Sequence, residues 1–145
     1  MRFFLLIALF WMGTAARGQT VLRWSDLTEG ISWQQPSSKA VFPGFQKATF
    51  SPKMKALHGK QVIITGYILV LGGEQSVYIL SKNPMASCFF CGNGGPETMM
   101  DLRFGQKPSF VMDELLSVEG TFYLNGNNPN ACYYRIENAD ALRLK

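Results

Sequence analysis

The sequence predicts a mainly β protein: a five-stranded, OB-like Greek-key barrel with an N-terminal extended arm and short helices. Three observations predict it. Beyond residue 60, apolar residues recur with the two-residue period of strands in five separate runs. Runs rich in Gly, Asn and Pro separate them. Two of the runs carry a glycine at matched places, where a missing side chain permits the coiling a small closed barrel needs. The chain has 145 residues, 47% hydrophobic and 17% charged, which suits one domain and excludes a disordered tail or a collagen-like fibre. Three cysteines are too few for a dense disulfide scaffold.

Residues 1–18 read as a secretory signal peptide. Arg2 supplies the positive start, Phe3 to Met12 an apolar run of ten residues, and Gly13 to Gly18 a small-residue stretch that suits cleavage before Gln19. Ten apolar residues fall short of the roughly 20 a membrane-spanning helix requires. No later segment approaches that length, so no membrane span is expected in the mature form. The expected location is therefore exported, periplasmic or extracellular.

Residues 19–56 read as an extended arm packed on the barrel, anchored by Trp24, Leu27, Trp33, Val41, Phe42, Phe45 and Phe50 and broken by Pro36, Pro43 and Pro52. Within it, Ser51-Pro52 has the form of an N-cap with proline at the first helical position, and Gly59 suits the far end. A short helix near 52–58 follows.

The barrel is expected over 57–145. Strand one starts at Gln61. Val62, Ile64, Gly66, Ile68 and Val70 form one face, yet Ile63, Tyr67, Leu69 and Leu71 on the other are also largely apolar, so this strand should be covered on both sides. After the turn at Gly72 to Gln75, Ser76 to Leu80 returns as strand two, and Thr98 to Phe104 makes strand three. Leu116 to Leu124 is strand four and Ala131 to Glu137 strand five, with a helical turn expected in Ser109 to Leu115. Strands one and four share a pattern, with Gly66 and Gly120 at equivalent inward positions. Five strands in this order, with a helical insert after the third, describe an OB-fold.

The sharp chemical feature is Cys88-Phe89-Phe90-Cys91-Gly92, followed by Asn93-Gly94-Gly95-Pro96-Glu97. Two thiols three residues apart in a glycine-rich loop have the spacing of half a zinc site. In an OB order, this loop, Cys132 at the start of strand five and His58 at the start of strand one all fall at one end of the barrel. The expectation is a Cys3His metal set of Cys88, Cys91, Cys132 and His58, with zinc as its ion. Two other fates of the thiols stay open: one structural disulfide, which export favours, or a redox-active Cys88/Cys91 pair with Cys132 as resolving thiol. A thioredoxin-type arrangement is disfavoured because the pair does not open a helix after a strand. Phe89 and Phe90 are expected to wedge the loop into the core. No Ser-His-Asp arrangement or convincing pair of carboxylates is present, so nothing argues for catalysis.

The formal charge of +4 invites a polyanion partner. Loss of Arg2 and Arg17 with residues 1–18 leaves 12 basic residues against 10 acidic, and those 12 are scattered singly. Nucleic-acid binding through aromatics such as Tyr78 and Tyr133 is therefore only a second alternative, and no nucleic acid is the expected partner.

Trp24-x-x-Leu27, Leu57-His-Gly59-Lys60-x-Val62-x-Ile64-x-Gly66-Tyr67 and Cys88-Phe-Phe-Cys91-Gly92-x-x-Gly95-Pro96-Glu97 together resemble a family of small exported bacterial proteins of unknown function. The resemblance covers roughly residues 24–104. The Gly-Lys-x-Val-x-Ile-x-Gly-Tyr piece is similar to OB-like domains of the tRNA-anticodon-binding type, where it opens strand one. A related exported group, associated with membrane transport systems, carries a Cys-x-His-Pro-rich loop in place of the Cys-Phe-Phe-Cys-Gly loop here. The resemblance implies export and an OB-like barrel. The functional expectation is a non-enzymatic binding module of the bacterial envelope with a cysteine-centred loop, held by metal or disulfide, whose partner is an envelope protein or a small ligand. The alternative is an envelope thiol-redox protein using Cys88 and Cys91.

Overall fold

A computed structural model describes residues 18–34, 46–73 and 76–145. The expected signal peptide and the anchors Val41, Phe42 and Phe45 lie outside these, Gly18 aside. Among the described residues, eight strands and two α-helices follow in the order β1 Thr20–Val21, α1 Trp24–Glu29, β2 Ile31–Trp33, β3 Ala48–Phe50, α2 Pro52–Leu57, β4 Gln61–Leu71, β5 Val77–Ser81, β6 Met99–Phe104, β7 Leu115–Leu124 and β8 Tyr134–Arg143. Three 3₁₀ turns, Met85–Ser87, Phe89–Cys91 and Pro96–Thr98, occupy the connection between β5 and β6. Among the described residues no helix is long and apolar enough to cross a membrane.

Five strands close a barrel in the order β4-β5-β6-β8-β7, with β7 returning to β4. All neighbours are antiparallel except β6 and β8, which run parallel through Asp101↔Arg135 and Leu102↔Ile136. This is the order and the one parallel contact of an OB-like barrel. β1 adds a sixth strand, parallel to β4 at Val62 and Ile63.

β4 closes the barrel because it changes neighbours along its length. Its first half pairs with β7 from Gln61↔Thr121 to Tyr67↔Leu115. Its second half pairs with β5 from Tyr67↔Ser81 to Leu71↔Val77. Gly66 sits at the changeover. A Cβ there would lie 2.7 Å from the Ser81 carbonyl oxygen and 3.0 Å from the Trp24 ring, so a side chain does not fit. Gly120 has the matching role in β7: a Cβ would meet Ile136 at 2.5 Å and the Glu137 carbonyl at 2.7 Å, where the β7–β8 register shifts.

The interior holds the even-numbered set of the strands: Val62, Ile64 and Ile68 from β4, Leu80 from β5, Met100 and Leu102 from β6, Leu116, Val118 and Phe122 from β7, and Tyr134 and Ile136 from β8. Alternation sends the odd-numbered residues outward. Tyr134, fully buried, stacks on Phe122 and donates its hydroxyl to the Leu27 carbonyl at 2.7 Å.

The segment expected as an extended arm has more regular structure than that. Trp24–Glu29 is a helix whose Asp26 carboxylate accepts the Arg23 backbone N–H at 3.0 Å, and β2 and β3 pair as a two-stranded antiparallel sheet. Leu22, Leu27, Phe50 and Met54 from this region are part of the main core. The short helix at 52–57 forms as its sequence indicates: Ser51 Oγ accepts the Met54 N–H and Pro52 takes the first helical position.

Ser109 to Leu115 is not helical, contrary to expectation. Asp113 takes a left-handed φ of 67°, its N–H donates to the Ile68 carbonyl, and the Ile68 N–H donates to the Glu114 carbonyl. The segment thus extends the pairing beside β4, which a helical path would forbid. Strand five starts later than its apolar pattern suggests, at Tyr134, and a bulge at Asn138 (φ 50°) resets its register so that pairing continues to Arg143.

Candidate functional site: the cysteine loop

The connection from Lys82 to Thr98 folds back over the outer face of β4, β5 and β6. Its neck is closed by the Ser81↔Met99 ladder pair and by the Lys82 N–H donating to the Thr98 carbonyl at 3.0 Å. Its far side is pinned by the Asp113 carboxylate, which accepts the Met85 N–H at 2.7 Å. Beneath it lies a second apolar cluster built from the odd-numbered, outward residues Leu69, Ile79 and Met99 together with Cys88; Leu71, Met85, Phe89 and Cys132 pack against it. The two-faced apolar pattern of β4 therefore has a cause: one face lines the barrel and the other lies under this loop.

Within the loop, the 3₁₀ turns decide which side chains point where. The Cys88 N–H donates to the Met85 carbonyl at 3.4 Å and the Cys91 N–H to the Cys88 carbonyl at 3.0 Å. Residues three apart are eclipsed in such turns. Here the two turns are separate: Cys88 is extended (φ −85°, ψ −179°), ends the first and starts the second, so Met85 and Cys91 are each tied to it by one of these bonds. The Cys88 thiol donates toward the Met85 thioether, Sγ to Sδ 3.9 Å, and the Cys91 thiol donates to the Met85 carbonyl at 3.1 Å. Cys88 is 1% exposed whereas Cys91 is exposed. Gly92 (φ 83°) ends the second turn in the left-handed region, where glycine is favoured. The two phenylalanines divide: Phe89 packs on the second cluster, as expected, and Phe90 is 49% exposed beside Cys91, contrary to the expected wedge.

The four expected metal ligands are not gathered. Among the described residues no three His, Cys, Asp or Glu side chains converge as a metal ion requires. Cys88 and Cys91 share the loop, but the other two are engaged elsewhere. His58 caps α2, its Nδ1 accepts the Leu124 N–H at 3.1 Å, and its ring meets Tyr123 edge-on. Cys132 precedes β8 and lies against the outer cluster rather than facing the barrel interior. The buried Asp101 carboxylate accepts its backbone N–H at 3.1 Å. Burial, and then the charge and hydrogen bond of Asp101, push the Cys132 thiol up to about 12. All three thiols are unpaired. Met85 is the participant that cysteine and histidine counting missed; its signal is the Met85-x-x-Cys88-x-x-Cys91 spacing.

The aromatics considered for base stacking are engaged within the protein. Tyr78 packs on the main core and edge-on to Phe104, with centroids 5.5 Å apart. Tyr133 is buried, donates its hydroxyl to the Gln46 carbonyl at 2.6 Å and meets Trp33 edge-on.

No family model matches the sequence, and a comparison with curated proteins finds no match. Among solved structures, a DUF3299 family protein from Pseudomonas aeruginosa PAO1 is similar. The likeness has a TM-score of 0.60 at 17% identity and covers 88% of this chain and 97% of that one. It shows a shared fold over nearly the whole of both chains.

Proposed function

We propose that the protein is an exported, non-enzymatic binding module of the bacterial envelope, and that the loop of residues 82–98 is its binding element. The observation that carries this reading is where the loop lies. OB-like barrels use the outer face of their second and third strands for ligands; here those strands are β5 and β6. That face is occupied by the chain's own cysteine loop, which turns one thiol, Cys91, and one aromatic ring, Phe90, to solvent. A ligand meeting this face meets the loop.

The thiol-redox alternative has less support. Its resolving thiol would be Cys132, which burial and the neighbouring Asp101 hold protonated well above neutral pH, whereas exchange proceeds through a thiolate. The nucleic-acid alternative lacks open stacking rings at Tyr78 and Tyr133.

Two measurements test the reading. Expression of the full chain followed by fractionation and intact mass should return a form starting at Gln19 outside the cytoplasm; a full-length cytoplasmic product refutes export. Hydrogen exchange of the mature form, with and without the small-molecule fraction of a periplasmic extract, should show protection confined to 82–98 and lost in Cys91→Ser. Protection at the groove lined by Val21, Ile63 and Ser117 instead would refute the loop as the binding element.

A further inference from the structure

We propose that Met85, Cys88 and Cys91 form a site for a soft monovalent metal ion, Cu(I), held by two thiolates and one thioether. This deepens the reading of the loop as the binding element and rests on it. Three facts carry the assignment. The backbone bonds Cys88 to Met85 and Cys91 to Cys88 close two tight turns that meet at Cys88, which keeps the three sulfur-bearing residues in one compact stretch. Met85 Sδ and Cys88 Sγ already lie 3.9 Å apart, and Cys91 Sγ rests 3.1 Å from the Met85 carbonyl oxygen. Two sulfurs at that separation share an ion about 2.3 Å from each with an S–metal–S angle of about 115°, close to trigonal.

The donor set selects the ion. Zinc takes Cys, His and carboxylate ligands and fills four positions, and no three such side chains converge here. Thiolate and thioether together select Cu(I), which three sulfurs satisfy. The surroundings suit the same ion. Cys88 is sealed from water against Leu69, Ile79 and Met99, with Phe89 packed alongside, while Cys91 stays open as the point of entry. Binding involves no electron transfer. Each Cu(I) forms two Cu–thiolate bonds and one Cu–thioether bond, and the Cys88 and Cys91 thiols release two protons to solvent.

The test is anaerobic titration of reduced mature protein with Cu(I) against a chromogenic Cu(I) chelator, with Zn(II) titrated in parallel. The expected result is one Cu(I) per chain, with affinity that rises with pH. Cys91→Ser, at an exposed position, should abolish competition with the chelator. Met85→Leu, which conserves volume and leaves both thiols, should weaken binding tenfold or more. Cys132→Ser should bind as the wild type does. Circular dichroism identifies any variant that does not fold, and Met85→Leu keeps the proposal decidable should Cys91→Ser unfold. Unchanged affinity in Met85→Leu overturns the assignment, as does a loss in folded Cys132→Ser equal to that in Cys91→Ser. One zinc bound through Cys88 and Cys91, with Cu(I) no tighter, also overturns it but leaves the loop as the binding element. Absence of any metal binding overturns it too; the exchange experiment above then decides the loop reading separately.

Discussion

Replacing Gly66 by alanine probes the point at which the barrel closes. The new methyl would sit 2.7 Å from the Ser81 carbonyl oxygen, 2.9 Å from Leu80 Cγ and 3.0 Å from Trp24 Cζ2. The first of these is backbone held by the β4–β5 ladder, so it yields only if the strands separate. Overpacking of this kind costs about 1–3 kcal/mol. Alanine recovers about 0.4–1 kcal/mol by restricting the unfolded chain, which leaves a net loss of about 1–2 kcal/mol. For a domain of this size that lowers Tm by ~4–8 °C. The Trp24 indole N–H, which donates to the Thr65 carbonyl at 2.8 Å, moves with the ring, so tryptophan emission should change as well. The assay is urea unfolding followed by fluorescence, with Gly73→Ala as the control. Nothing lies within 4 Å of a Cβ at Gly73, so the control should be as stable as wild type or gain up to about 1 kcal/mol. Gly66→Ala matching Gly73→Ala in stability and emission would refute the crossover role of Gly66.

Tyr134→Phe removes a hydroxyl bonded to the buried Leu27 carbonyl and should cost about 1–2 kcal/mol by chemical denaturation. Ser51→Ala removes the side-chain cap of α2 and should cost about 1 kcal/mol, read as a shift in the urea midpoint without a change in slope. Alkaline pH should destabilise the fold. The Cys132 thiol keeps its proton to about 12 when folded but titrates near its ordinary 9.0 when unfolded, so its contribution is intact below about 9 and is lost between about 9 and 12. The slope from this group reaches about 1.4 kcal/mol per pH unit. Burial pushes Tyr133 and Tyr134 in the same direction. Cys132→Ala should therefore flatten the decline without removing it, as thermal melts across that pH range would show.

The barrel was legible in the sequence because a closed sheet imposes strict alternation, and Gly66 and Gly120 marked where it coils. The cap at Ser51-Pro52 was legible for the same kind of local reason. Helix α1 was not, because six residues with only Trp24 and Leu27 apolar are too short to display a helical period. The 109–115 segment misled because its turn depends on a left-handed Asp113 and on β4 backbone far away in sequence. At the site, the cysteine pair was visible by spacing alone. Its surroundings were not, since topology places Cys132 and His58 away from it at a finer scale than strand order conveys, and Met85 joins through two short turns that meet at Cys88 in a loop with no regular pattern.

The central claim is that the loop buries Cys88 and leaves Cys91 exposed, while Asp101 on β6 holds the partly buried Cys132. Timed alkylation of the reduced, native mature protein, read by peptide mass spectrometry, tests it most directly. Cys91 should label at the rate of an open thiol, Cys88 only as fast as the protein opens, and Cys132 slowly because burial and Asp101 keep its thiol protonated. Equal labelling of Cys88 and Cys91, or protection of Cys91, would contradict it.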